Sequence, residues 1–395
     1  MKGGKRLGKI LFCTDSLIMG GQEKVSIDYL NMLVESKKYE IFLLINEDNG
    51  EKGNVFLNKI PKKINYKFVI DKDIISKINN YRELKKKNLV YKLVYNYYLG
   101  KRRKSYERNI KQMVRNIEYD YLIDFTCQLP IELCDERVFS WIHTDINSWK
   151  KKKVESLGEK LNKIKRLIVL NENNKKELKK IFYKNKEKVI KLYNPLNVEE
   201  IKKLSTDKNL LTEEEKELLN KKYFLACSRL DKLKDIETLI EAYKILKEKC
   251  EIEEKLYIAG IGDQKERLEN LVKVYNLDKD IIFLGLQKNP YVWMKNAKFF
   301  IHSSYCEAFG LVLIEAMITN GMVISSDCPT GPREILENGK SGILFPVGDK
   351  ERLVEEILRV LNDKNLVEKY RKEAKRRAED FSKEKIKEKV LGILK

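Results

Sequence analysis

Short runs that are apolar on both faces recur along this chain, separated by longer lysine-rich amphipathic segments. The first series is KILFC (9–13), EIFLLIN (40–46), NYKFVI (65–70), YLIDF (121–125), VFSWIH (138–143), RLIVL (166–170) and KVIKLYN (188–194). A second series follows: YFLAC (223–227), KLYIAG (255–260), IIFLG (281–285), FFIHS (299–303), MVISS (322–326) and GILFP (342–346). Runs apolar on both faces suit strands buried between two layers, which is the situation of parallel strands. Helical periodicity fills the gaps, as in DIETLIEAYKILKEK (235–249) and KERLENLVKVYNL (265–277). Strand and helix in alternation predict βαβ units and a doubly wound α/β class.

Two series imply two domains, and 395 residues are long enough to build both. Between them, Asn194-Pro195 interrupts the chain and charged residues follow to 222. The expected division is 1–197 for the first domain and 198–378 for the second. Ligands of such sheets sit at the carboxyl ends of the strands, so two such domains facing each other across a cleft are expected to hold a substrate there.

Composition narrows the function. Hydrophobic residues make up 43% of the chain, enough for packed cores. No run approaches the ~20 apolar residues of a membrane span. The stretch after MKGGKRLGK is only ILFC, shorter than a secretory signal core, so a cytosolic protein is expected. Seven scattered cysteines without a C-x-x-C predict free, mostly buried thiols. With only His143 and His302 present, a multi-histidine metal site is not expected. The net charge of +20 reads either as solvated lysine faces or as a match to an anionic partner.

The segment SSYCEAFGLVLIEAM (303–317) carries two glutamates, Glu307 and Glu315, eight residues apart. On one helix that spacing would part them by about 12 Å along the axis, so two separate tasks are expected. FFIHSS reads as a strand, YCEAF as the loop leaving it and GLVLIEAMI as the next helix. The first N–H groups of that helix, near Gly310, Leu311 and Val312, form an anion site, and Gly310 permits close backbone approach. Glu307 then lies in the loop beside a phosphate, and Glu315 projects from the helix further back. One carboxylate could face a transferred group and the other accept from sugar hydroxyls; alternatively both are helix-terminal or surface glutamates. Arg229 and Lys234 follow the strand YFLAC, where two cations suit a diphosphate. Gly20 and Gly21 follow the first strand, and His143 stands at a strand end.

In this order, the residues resemble the retaining glycosyltransferases of the GT-B fold, the group 1 (family 4) type, in the branch that builds bacterial surface polysaccharides and lipid-linked glycans. The resemblance spans nearly the whole chain and is densest from Cys227 to Asp349. It implies that Glu307 sits by the donor sugar and Glu315 binds the ribose. It implies that Arg229 and Lys234 bind the diphosphate, that His143 lines the sugar pocket, and that Gly20 and Gly21 form the amino-terminal glycine loop. Glu307, His143, Arg229 and Lys234 are thus the expected catalytic set. Gly20, Gly21, Arg229, Lys234, Gly310, Leu311, Val312 and Glu315 are the expected donor-binding set. Asp235 and Ala308 stand where the family often has glycine.

The implied reaction moves a sugar, with retention, from a nucleotide-sugar (a UDP-sugar as co-substrate, with no other cofactor) to a hydroxyl of a glycan or lipid-linked acceptor. No metal is expected: cations and a helix N-terminus would meet the leaving charge, and Asp71-x-Asp73 and Asp278-x-Asp280 read as turns. His302 reads as a satisfied core histidine, Glu334 as structural and Cys306 as a small filler. A terminal helix, 379–395, is expected to pack back on the first domain. A sugar-nucleotide epimerase or hydrolase of related fold is the nearest rival. A non-catalytic basic binding protein is another, although no nucleic-acid reader motif is present. Finally, 82–115 holds twelve Lys/Arg against two Glu, interleaved with tyrosines and leucines. It reads as an amphipathic helix for an anionic membrane, which predicts peripheral attachment to the inner face of the cytoplasmic membrane.

Overall fold

The computed structural model describes residues 6–394. By contacts the chain divides into one unit of Met1–Pro195 with Lys387–Lys395 and a second of Leu196–Ile386. Each is a parallel sheet between helices.

The first unit has seven strands: β1 (Gly8–Thr14), β2 (Tyr39–Glu47), β3 (Asn65–Ile70), β4 (Tyr121–Asp124), β5 (Val138–Ile142), β6 (Arg166–Val169) and β7 (Val189–Lys191). Their order is β3-β2-β1-β4-β5-β6-β7. Every pairing is parallel, for example Cys13 against Leu44 on one side and Asp124 on the other. The second unit has β8 (Tyr223–Cys227), β9 (Lys255–Ala259), β10 (Ile281–Gly285), β11 (Phe299–His302), β12 (Val323–Ser326) and β13 (Ile343–Phe345), ordered β10-β9-β8-β11-β12-β13. These pairings are parallel too. Each apolar run of the sequence becomes one strand, most shifted by a residue or so at the ends; KVIKLYN keeps only Val189–Lys191. The strands form because both faces are covered: β5 is buried along its whole length.

Strand order reverses direction between β1 and β4 in one sheet and between β8 and β11 in the other. At such a switch point the two outgoing loops part to opposite sides and leave a crevice. In the second unit those are the loops after Cys227 and after His302.

Local signals set the helices. Ile236–Cys250 buries Ile236, Leu239, Ile240, Tyr243 and Leu246, a spacing of three and four that keeps one stripe on the sheet. Each such aliphatic burial is worth about 2 kcal/mol. The charged connector after Pro195 is not bare linker. It folds as the helices Val198–Leu204 and Glu213–Leu219, the latter closed by a Thr212/Glu215 capping box.

Most of the basic segment is one helix as expected, Leu89–Asn116, but its first residues close the preceding helix, Lys72–Leu84, and the two form a hairpin. The break comes at Asn88, whose side chain accepts from the Tyr91 N–H at 2.9 Å and so starts a new helix. Tyr81 stacks on Tyr98 across the pair at 6.1 Å. No helix among the described residues is long and apolar enough to cross a membrane. All seven cysteines are free, but only Cys13, Cys134 and Cys328 are buried; the other four are half-buried.

Candidate functional site

In the second unit, two switch-point loops are stitched into one body. Ser303 Oγ donates to the Lys234 carbonyl at 3.1 Å, Ser304 Oγ to the Leu233 carbonyl at 3.0 Å, and the Tyr305 N–H to the same Leu233 carbonyl at 2.8 Å. Both serines are buried. This brings Lys234 against Glu307, where its Nζ forms a salt bridge with Oε2. The loop after β12 fixes Glu307 from behind: its carbonyl accepts from the Gly331 N–H at 3.2 Å and from the Thr330 hydroxyl.

His302, the last residue of β11, is buried as expected but is not a satisfied core residue. Its Nε2 has no aligned hydrogen bond and lies 3.4 Å from the same Glu307 oxygen. Burial alone would push the Glu307 carboxyl up. The His302 imidazole and the Lys234 ammonium outweigh it and bring the pKa down to about 2. Glu307 is therefore a fixed anion, its Oε2 held by protein groups.

Gly310 adopts φ +92°, a left-handed conformation that suits glycine, and caps the helix Leu311–Thr319. A Cβ there would meet Glu307 Cγ and Leu313 Cδ1, each at 3.2 Å. Helix geometry leaves the N–H groups of Leu311 and Val312 without an intrahelical carbonyl. The helix stays put because Leu313, Ile314, Ala316, Met317 and Ile318 are buried. Glu315 projects from it half-buried and accepts from the Tyr291 hydroxyl at 3.1 Å. It also faces the end of β8: burial, with the Glu315 charge adding, pushes the Cys227 thiol up to about 12. The bracketing glutamates thus occupy two environments, one ion-paired at the loop and one beside a tyrosine and the end of β8.

Arg229 takes no part in the Lys234–Glu307 ion pair. Its side chain is 76% exposed and pairs with Asp231 at 3.2 Å. Asp235 has φ +47° and is the N-cap of Ile236–Cys250. That left-handed position is one glycine fills without strain and aspartate tolerates. Two glycines after β9, outside the expected set, also shape this loop cluster. A Cβ on Gly260, at φ +141°, would sit 1.8 Å from the Ser228 carbonyl oxygen, and one on Gly262 would sit 2.2 Å from that of Leu230. They let the AGIGD loop close on the Arg229 loop. The G-x-G spacing after a strand was the available signal.

The remaining candidates lie in the first unit. Gly20 is extended and precedes the helix Gly21–Glu35; a Cβ on it would meet Glu23 Oε2 at 2.2 Å. His143 directly follows β5, with its ring 4.4 Å from that of Phe125. Burial lowers its pKa to about 4 against a hydrogen bond to the Phe125 backbone, so the imidazole is neutral near pH 7. Its Nε2 is buried without a partner. A buried, unsatisfied nitrogen costs stability and marks a position where a ligand hydroxyl can bond.

Nothing among the described residues gathers three metal-ligating side chains. Asp71 instead caps a helix through the Asp73 N–H, and Asp280 pairs with Lys255 at 2.8 Å and Lys247 at 3.3 Å.

Residues 207–377 match the family described as Glycosyl transferases group 1. Over 203 residues the chain is 33% identical to the N-acetylgalactosamine-N,N'-diacetylbacillosaminyl-diphospho-undecaprenol 4-alpha-N-acetylgalactosaminyltransferase of Campylobacter jejuni, covering 51% of this chain and 52% of that protein. It is 28% identical over 167 residues to the poly(ribitol-phosphate) alpha-N-acetylglucosaminyltransferase of Staphylococcus aureus, covering 42% of this chain and 34% of that one. The chain thus spans about half the length of the first of these relatives, and about a third of the second. In structure it resembles Anabaena HepE in complex with UDP and glucose, with a TM-score of 0.72 at 17% identity over 98% of this chain and 99% of that one. That likeness is one of fold: two parallel-sheet α/β domains of the GT-B type.

Proposed function

We propose that this chain, whose residues 207–377 match the group 1 glycosyl transferases, moves a sugar from a nucleotide-sugar to a hydroxyl of a glycan or lipid-linked acceptor. The observation that carries the reading is the Lys234–Glu307–His302 cluster at a switch point, directly before the N-terminus of Leu311–Thr319. An ionised carboxylate beside a helix N-terminus is arranged for a ligand that is anionic at one end and hydroxylated at the other.

In this reading the Leu311 and Val312 N–H groups, with Lys234 and Arg229, take the diphosphate. Glu307 faces the sugar and Glu315 accepts from the ribose hydroxyls; in the first unit, the neutral His143 offers its unpartnered Nε2 to a ligand hydroxyl. The acceptor oxygen bonds to the anomeric carbon as the bond from that carbon to the diphosphate oxygen breaks. The hydroxyl proton passes to the departing diphosphate oxygen, and the new bond lies on the face the diphosphate leaves, which is retention. Lys234, Arg229 and the helix N-terminus stabilise the charge on the leaving group without a metal. Anabaena HepE, solved with UDP and glucose, supports UDP as the nucleotide. The relatives' polyprenol-diphosphate and polyribitol-phosphate acceptors support a place in surface-polysaccharide synthesis, such as lipopolysaccharide or capsule, at the inner face of the cytoplasmic membrane.

A thermal-shift panel of nucleoside diphosphates and nucleotide-sugars tests the donor. At 100 times its dissociation constant a ligand stabilises the fold by about 2.7 kcal/mol. A shift with UDP and UDP-sugars that is absent with adenine and guanine nucleotides supports the reading. No shift with any nucleotide-sugar overturns it.

A further inference from the structure

The helix hairpin of the first unit has a direction. Arg102, midway along Leu89–Asn116, reaches Glu47 at the carboxyl end of β2 at 2.5 Å, and lies 4.0 Å from Asp15, just past the end of β1. Tyr106 Oη donates to the Gln128 carbonyl at 3.2 Å, in the loop after β4, and the Asn109 amide to Val69 near the end of β3 at 2.8 Å. Further on, Ile110 and Val114 sink into the core beside Tyr119, ahead of β4. The helix therefore runs antiparallel to the strands. The thirteen residues before Arg102 carry it roughly 20 Å beyond their carboxyl ends.

That projecting half is dressed unusually. Leu89, Val90, Leu93 and Tyr97 are 68%, 65%, 60% and 66% exposed. At 3.6 residues per turn they share one arc of about 100°, with Lys92 and Lys101 on its two flanks. The hairpin turn adds Lys85, Lys86 and Lys87, and 82–101 holds six cations against one carboxylate, Glu83. Ile18 and Met19, in the loop leaving β1, are exposed at the same end of the sheet. The opposite face is packed: Tyr95 and Tyr98 pack against Ile74, Ile75 and Ile78, which holds the hairpin rigid.

We propose that this tip inserts into an anionic bilayer: Leu89, Val90, Leu93 and Tyr97 enter the headgroup–acyl boundary while the flanking lysines meet lipid phosphates. The inference rests on the proposed membrane-side function and deepens it, because it sets how the protein stands. The carboxyl ends of the first sheet, with Gly20 and His143, face the membrane that carries a lipid-linked acceptor. An apolar stripe with cations along both flanks and at its end complements an anionic bilayer better than it does a second basic copy of the chain. Arg102 is excluded from the contact, since its guanidinium serves Glu47.

The test uses the full chain carrying Leu93→Trp and vesicles of phosphatidylglycerol and phosphatidylcholine with bromine on the acyl chains. Insertion predicts at least twofold quenching of the new tryptophan with phosphatidylglycerol present and little with phosphatidylcholine alone. Leu89→Ser/Val90→Ser should cut the partition coefficient tenfold or more with the UDP thermal shift unchanged. Lys86→Gln/Lys87→Gln/Lys92→Gln should cut it comparably at low salt only. Vesicle binding without quenching overturns insertion while leaving surface attachment standing. No vesicle binding, or a concentration-dependent dimer abolished by Leu89→Ser/Val90→Ser, overturns both the insertion and the membrane placement, and neither touches the donor reading.

Discussion

Nε2 of His302 lies 3.4 Å from Oε2 of Glu307, the same oxygen that Lys234 engages. The Lys234 ammonium and the nearby His302 imidazole, both on the Oε2 side, outweigh burial and hold the carboxyl pKa near 2. A carboxyl depressed from 4.5 to about 2 contributes stability that is fully present above pH 4.5 and is lost as pH falls through 2. That difference is on the order of 3 kcal/mol. His302→Leu should keep the strand packed but raise the Glu307 pKa. The acid limb of the kcat/KM profile should then move up by at least one pH unit, with donor KM nearly unchanged. An unmoved limb would make His302 a filler of the core.

The two glutamates should separate kinetically. Glu307→Gln removes the charge facing the sugar and should lower kcat by about 100-fold or more, the scale of losing one electrostatic partner of a transition state. Glu315→Gln should chiefly raise donor KM, because a ribose contact persists from ground state to transition state. Tyr291→Phe, which removes the donor to Glu315, should do the same more mildly. Steady-state kinetics on the three folded variants decides; equal effects on both parameters would mean one shared task.

Gly310 offers a backbone test. With φ at +92°, any L side chain is strained by about 1–2 kcal/mol, and a new methyl would press on Glu307 Cγ. Gly310→Ala should lower Tm by a few degrees and lower activity more than that loss of stability explains. A variant that loses Tm but keeps full activity at low temperature would separate the turn from the site.

Much of this arrangement was legible in the sequence. The strands declare themselves by runs such as FFIH and VISS, because a buried parallel strand needs only local apolarity. The loop–helix step at Gly310 was legible for a similar reason, since the glycine and the apolar helix are adjacent. His302 was not, because a histidine in an apolar strand reads alike whether it faces the core or a carboxylate. The stitching of Ser303 to Lys234 joins residues 69 apart in the chain, a pairing that no spacing encodes. The hairpin break was hidden because polar and apolar residues keep a helical rhythm across Asn88, and a single capping side chain decides it.

The leaving-group charge is assigned to Lys234, Arg229 and N–H groups, so catalysis should persist in EDTA. Product formation should stay within about twofold of the untreated rate and gain little from added Mn²⁺ or Mg²⁺. In parallel, Lys234→Met should cost at least 100-fold. Full loss in EDTA with recovery on Mn²⁺ would return the charge to a metal and make Asp71 and Asp73 the first residues to replace.

His143 ties pH to both folding and activity. Its pKa falls from 6.5 to about 4 on burial, so the native protein holds it neutral where the unfolded chain would protonate it. The sign follows: this contribution is fully present above pH 6.5, declines as pH drops toward 4 and is gone below that. Its ceiling is about 3 kcal/mol, from a shift of some 2.5 units. His143→Asn should therefore flatten the fall in Tm between pH 6.5 and 4 relative to the parent, even if Tm at pH 7 also drops. The same change removes the unpartnered Nε2, so kcat/KM at pH 7.5 should fall about tenfold, the cost of a lost hydrogen bond to a sugar hydroxyl. An unchanged Tm slope would place the His143 ring in solvent contact. A flattened slope with full activity would confine it to the packing against Phe125.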